Sequence, residues 1–189
     1  LGDLRLQADT NATNILGDVV GYFGPATGPA PPCFATTNRY VDCGNGTVTD
    51  TVTGLLWLKN ANCFGILDYK LANERAWALA HGQCGLTDGS SAGDWRLPTK
   101  AEWETTVASA VALGCNTPAL TNIWGTACAS AFGTPFTGVD DFYWTANAWD
   151  QTPNNAWCIT LSNNGTMSPF CGKAAIATTI FVWPVRSRR

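Results

Sequence analysis

The clearest periodic signal lies between Gly93 and Gly114. Trp103, Val107, Ala110 and Val111 recur at i, i+4, i+7 and i+8, the spacing of one helical face. Thr99 precedes this run as an N-cap and Glu102 sits three residues on, so the two read as a capping box. Pro98 before the cap and Trp103 at the fourth helical position have the spacing of a hydrophobic staple. Gly114 is the stop. Trp95, Leu97 and Trp103 are the expected core anchors. A second helix is predicted over Tyr69 to His81, with Ala72, Ala76 and Leu79 on one face, Trp77 and Ala80 beside it, and Gly82 as its stop. His81, the sole histidine, reads as a helix-end cation or a surface residue rather than a ligand or base.

Strand signals flank the helices. Tyr40–Asp42, a turn at Gly44-Asn45-Gly46, and the alternating Thr47–Asp50 lead through Thr51–Gly54 into Leu55–Leu58. That last run is apolar on both faces, as in a central buried strand. Further strands are predicted at Phe142–Thr145, Trp157–Leu161, Thr166–Cys171 and Ile180–Arg186. Asn164-Gly165 is a type I′ hairpin signal. A two-residue turn there sets Asn163 opposite Thr166 and, counting outward, Cys158 opposite Cys171 at a non-hydrogen-bonded pair. Side chains approach most closely at such pairs, so a cross-strand bridge is sterically sensible.

Two long stretches lack any sustained period. Residues 114–141 are rich in Thr, Gly, Asn and small side chains, and a loop of that length is functional or pinned. Residues 146–156 form an exposed loop carrying Asn147, Trp149, Asp150, Gln151, Asn154 and Asn155. Loops 121–141 and 146–156 are expected to meet at one end of the sheet and offer Trp149, Asn147, Asp150, Asn154 and Trp124 to a ligand. Trp149 is expected exposed and Trp124 buried. Aromatic faces beside Asn and Asp suit sugars, which present apolar CH faces and hydroxyls.

The N-terminal region stands apart. Ile15 to Phe23 reads as a strand, and Gly24 to Pro32 is a Pro/Gly linker. Residues 1–32 are therefore read as strand and linker, and residues 33–189 as the folded domain. A lone strand needs a partner, which its own domain, a neighbouring subunit or an upstream domain could supply. Ile15, Leu16, Val19, Val20, Tyr22 and Phe23 are candidates for assembling a homo-oligomer, a trimer or a filament, by augmenting a neighbour's sheet. The chain begins at Leu1, as if processed or excised from something longer.

Composition narrows the class. Charged residues make up 13% of the 189, about half the usual share. The net charge of −3 argues against a nucleic-acid partner. The basic cluster Arg186, Arg188 and Arg189 reads as a solvated end. No apolar run approaches the roughly 18 residues that would insert in a membrane. Eight cysteines, an even number, without any Cys-x-x-Cys, favour disulfides and an extracellular setting over a metal site. Besides Cys158–Cys171, proximity along the chain suggests Cys33–Cys43, Cys63–Cys84 and Cys115–Cys128. Sequons at Asn11, Asn45 and Asn164 matter only in a glycosylating host.

Several blocks together resemble a known family. Asn45–Trp57, Gly93–Glu104 with its Trp95-Arg96-Leu97-Pro98-Thr99, Tyr143-Trp144-Thr145 with Ala156-Trp157, and Phe181–Arg186 are similar, in order, to the Lcl C-terminal-like domains (DUF1566). More loosely the chain resembles the formylglycine-generating-enzyme and C-type-lectin-like superfamily. The resemblance implies an α+β, C-type-lectin-like fold with two helices packed on twisted antiparallel strands and the two ends of the domain close together. It also implies a secreted or surface-exposed bacterial protein, an adhesin-like module. The sulfated polysaccharide bound by the family's adhesin needs a basic surface and is not expected here. Copper oxidation, as in the related oxidases, is not expected of Cys158 and Cys171. A hydrolase would need a base near its nucleophile, and His81 is poorly placed. A glycosidase would need a carboxylate pair such as Asp140 or Asp141 with Asp150. Calcium would draw on Asp140, Asp141, Asn147, Asp150 and Asn154. No cofactor is expected otherwise. A non-catalytic, carbohydrate-binding module is the leading expectation, with a structural filament or homo-oligomer subunit as the alternative.

Overall fold

Two four-stranded sheets and two helices make up the described chain. The computed structural model describes residues 33, 37–129, 133–174 and 180–187. In chain order the elements are β1 (Tyr40–Asp42), β2 (Thr47–Asp50), β3 (Leu55–Leu58), α1 (Tyr69–Ala78), α2 (Lys100–Ala112), β4 (Phe142–Ala148), β5 (Asn155–Thr160), β6 (Thr166–Gly172), β7 (Ile180–Phe181) and β8 (Val185–Ser187). The first sheet has the order β1-β2-β3-β8 and the second β6-β5-β4-β7. All neighbours are antiparallel except β4 and β7, which run parallel. The expected strand Ile15–Phe23 and the linker 24–32 lie outside the described residues, as do Arg188 and Arg189.

The centre of the second sheet, β4 and β5, is buried on both faces, because alternate residues of these strands serve two different cores. Tyr143, Ile159 and Leu161 join Trp57, Trp103, Val107 and Trp183 on one side. Trp144, Ala156 and Cys158 join Ala72 and Ala76 of α1 on the other. Trp183 is the hub of the first core, with ring centroids 4.9 Å from Phe136, 5.0 Å from Trp57 and 5.1 Å from Tyr143.

The helix that opens at Thr99 forms as its pattern requires. The Thr99 side chain accepts from the Glu102 N–H and the Glu102 carboxylate accepts from the Thr99 N–H. Trp95, Leu97 and Trp103 are fully buried. Gly114 follows the helix in the left-handed region at φ 77°. Val111, expected on the buried face, is 41% exposed instead. The apolar stripe is narrower than its sequence spacing suggested.

Helix α1 ends three residues early, at Ala78. Its N-cap is Asp68, whose carboxylate accepts from the Leu71 N–H. Leu79 is already extended, because the 86–93 loop competes for the final turn. The Gly93 N–H donates to the Trp77 carbonyl at 2.7 Å, and the His81 N–H to the Ser90 carbonyl at 3.0 Å. His81 thus lies beyond the helix end, exposed at the surface. Its Nδ1 accepts from the Gly89 N–H.

All four expected disulfides are present: Cys33–Cys43, Cys63–Cys84, Cys115–Cys128 and Cys158–Cys171. The register behind the last one differs from expectation. Thr160 pairs with Thr166 and Cys158 with Ser168, while Cys171 faces Ala156 across a bulge. The turn is wider than two residues because Leu161 and Ser162 are held elsewhere. The Leu161 N–H donates to the Asp141 carbonyl and its own carbonyl accepts from Ala119, both at 2.7 Å. Asn163, Asn164 and Gly165 then turn the chain in the left-handed region. The bridge is therefore diagonal, with a Cα–Cα distance of 6.1 Å.

The predicted strand 180–186 is two strands in two sheets. Val182-Trp183-Pro184 crosses between them, and the Trp183 indole N–H donates to the Leu58 carbonyl at 2.7 Å. Arg186 is not a solvated end. It is 8% exposed and pairs with the fully buried Asp88 carboxylate at 3.0 Å.

Candidate ligand-binding site

Four of the five ligand-binding candidates lie on one structure, the β4–β5 hairpin tip. β4 ends at Ala148, the Trp149 N–H donates to the Asn155 carbonyl at 3.0 Å, and the Asn155 N–H to the Thr152 carbonyl at 3.1 Å. These bonds close the turn that carries Trp149, Asp150 and Asn154. Lys173, just past β6, clamps it from the side. Its N–H donates to the Asn154 carbonyl and its Nζ to the Pro153 carbonyl, each at 2.8 Å. Asp150 and Asn154 are exposed, and their side chains make no hydrogen bond among the described residues. Asn147 is exposed too, but its amide oxygen accepts from the Lys100 N–H at the start of α2, at 2.7 Å.

Trp149 is half-buried rather than open. Its ring meets Phe170 edge-on, with centroids 5.1 Å apart and planes at 81°. Phe170 is 72% exposed, the most exposed large apolar side chain among those described. It lies with Pro169 where the β5–β6 register shifts, two residues between Ser168 and Cys171 against one between Ala156 and Cys158. Nearby on β5, the Lys100 ammonium lies 4.8 Å above the Trp157 ring. Phe170 was not anticipated. The strand pattern Thr166–Cys171 gives no sign of a bulge, and only Pro169 hinted at irregularity.

The fifth candidate is elsewhere. Trp124 is 50% exposed, not buried, and sits in the turn beside β1, where Ile123 accepts from the Tyr40 N–H and Gly125 packs on Arg39. The described parts of loops 121–141 and 146–156 join β4 at opposite ends. Residues 119 and 141 bond to Leu161, at the start of β4 and the end of β5, whereas Trp149 to Asn154 cap the opposite end. Seven residues of β4 separate Asp141 from Trp149, about 23 Å of strand. Asp140 and Asp141 therefore cannot act with Asp150 as a catalytic pair, nor can the five proposed calcium ligands converge. Among the described residues no group of three or more His, Cys, Asp or Glu is placed to hold a metal ion.

The pKa shifts at this end belong to the fold rather than to chemistry. Burial pushes the Glu102 carboxyl up. The Arg96 guanidinium, bonded to both its oxygens at 2.7 and 2.6 Å, and the Thr99 N–H outweigh that and hold it below the usual range. Burial pushes the Tyr69 hydroxyl up, and that hydroxyl donates to the Ala146 carbonyl at 2.8 Å.

The fold and this tip together define a class: an α+β domain of two helices and two sheets, held by four disulfides, that presents an aromatic and amide-rich hairpin to solvent. No described helix is long and apolar enough to cross a membrane. The chain belongs to the Lcl C-terminal domain family, whose model matches residues 46–186. No curated protein and no solved structure matches it.

Proposed function

We propose that this chain is a non-catalytic, secreted or cell-surface binding module with a C-type-lectin-like fold, and that it takes carbohydrate at the β4–β5 tip. The supporting observation is Phe170, 72% exposed and braced edge-on by Trp149 beside the free Asp150 and Asn154 side chains. Leaving an aromatic ring in water costs free energy that ligand burial recovers, about 25 cal/mol per Å². A sugar's CH face covers such a ring while its hydroxyls reach amides and carboxylates. The test is a glycan array followed by calorimetry on the best ligand. Phe170→Ala and Trp149→Ala should each weaken binding at least about tenfold, the effect of a hot-spot aromatic. Trp124→Ala should not change it. Equal affinity in all four proteins, or no bound glycan, refutes the reading.

A second reading, assembly through residues 15–23, draws on the strand-like apolar pattern of Ile15–Phe23. The described sheet edges offer it little. β1 is capped by Ile123, β7 bridges to Ile66 and β8 to Arg96. β6 is interrupted by its bulge and Pro169. Light scattering on residues 1–189 and on 32–189 decides it. A mass that drops on truncation favours assembly, and two monomers remove it.

A further inference from the structure

At the other end of β4 and β5 from the aromatic tip lies a cleft of about 440 Å³. Pro118, Ala129 and Val139 line it with carbon, alongside Thr117, Thr134 and Ser162 and the carboxylates Asp140 and Asp141. Each wall is fixed by the fold. The Cys115–Cys128 bridge closes the loop that carries Pro118, and the Ala129 N–H donates to the Leu120 carbonyl at 3.0 Å. Val139 packs against the main core.

The acidic side is fixed as well. Both Asp141 oxygens are occupied, Oδ1 by the Ser162 N–H at 2.6 Å and Oδ2 by the Ser162 hydroxyl at 2.8 Å. Asp140 Oδ1 accepts from the Asp141 N–H at 2.9 Å, and the Asp140 N–H donates to the Tyr143 hydroxyl. The second Asp140 oxygen has no partner among the described residues. Among the described residues no lysine, arginine or histidine lines the cleft, and neither carboxylate takes part in an ion pair. Two carboxylates thus stand without a described counter-charge over an apolar trough whose size falls within the ~300–1,000 Å³ of small-molecule sites.

We infer that this cleft is a second binding site, for a small aliphatic cation: an alkyl stem laid along Pro118, Ala129 and Val139 with an ammonium head against Asp140. Charge complementarity selects the head and the carbon walls select the stem. A neutral stem gains only the apolar part, and an anionic head is repelled.

The test is an NMR titration of the full chain with n-pentylammonium chloride, n-pentanol and sodium pentanoate, following the Ala129 and Val139 methyls. Pentylammonium should shift both methyls saturably, and pentanol should bind about threefold more weakly, the share of one partly exposed ion pair. Pentanoate should leave them unmoved. Asp140→Asn should bring pentylammonium to the level of pentanol, and raising salt to about 0.5 M should have a similar effect. Val139→Ser should weaken both. Phe170→Ala should change none of these, since the aromatic tip is at the far end of the sheet. Equal binding of ammonium and alcohol, binding of pentanoate, or shifts confined to other residues overturns the inference.

Discussion

Gly165 is the position at which a single methyl group tests the packing most sharply. It closes the β5–β6 turn at φ 63° and is buried. A Cβ built there would lie 3.0 Å from both Cβ and Cγ2 of Val107 on α2, and 3.2 Å from Ala119. Gly165→Ala therefore meets two penalties. Placing an L-residue in the left-handed region costs about 1–2 kcal/mol, and forcing a methyl into a packed core costs about 1–3 kcal/mol. The sum, about 2–5 kcal/mol, corresponds to a Tm lower by roughly 5–15 °C for a domain of this size. Gly114→Ala supplies the comparison, because Gly114 has φ 77° with nothing within 4 Å of its built Cβ. It should lose only the backbone part. Thermal and urea unfolding of the two variants give the difference directly. Val107→Ala relieves the Cγ2 contact, so combining it with Gly165→Ala should show a coupling of about 1 kcal/mol or more. If Gly165→Ala is no worse than Gly114→Ala, or if the double variant is simply additive, the close approach of turn and helix is wrong.

Three further outcomes follow from the same structure. Trp103→Ala, which empties the centre of the Trp57–Trp183 cluster, should cost about 3–5 kcal/mol in urea unfolding. Asp88→Asn strands the buried Arg186 charge and should cost about 3–5 kcal/mol, with Asp88→Asn/Arg186→Met recovering part of it. The Glu102 carboxyl is depressed in the fold, so its contribution is complete above the unfolded value of about 4.3 and is lost as pH falls through the lower folded value. The wild-type Tm should accordingly drop more steeply below about pH 4 than that of Glu102→Gln, and parallel Tm profiles would contradict the assignment.

What the sequence determined by itself was local. The capping box at Thr99 and Glu102, the β2–β3 hairpin through Gly54, the doubly buried Leu55–Leu58 strand and the core anchors Trp95, Leu97 and Trp103 all follow from neighbours a few residues apart. The four disulfides were legible for the same reason, since each closes a short loop. Cys158–Cys171 was reached through a register that the fold does not use. Short-range geometry tolerated that error, because a diagonal pair across a bulge still lies within bridging distance.

Only the tertiary structure decided the rest. Leu161 abandons the expected two-residue turn because Asp141 and Ala119, far away in sequence, take its backbone bonds. The stretch 180–186 divides between sheets because Trp183 finds the Leu58 carbonyl and Pro184 has no N–H to continue a ladder. Trp124 and Phe170 stand in solvent while Trp149 is half covered, although nothing in their flanking residues separates the three. The two loops named as one site occupy opposite ends of β4. Side-chain type sets what a residue can bind, but the long-range hydrogen bonds set where it stands, and they depend on partners that periodicity and turn chemistry do not reveal.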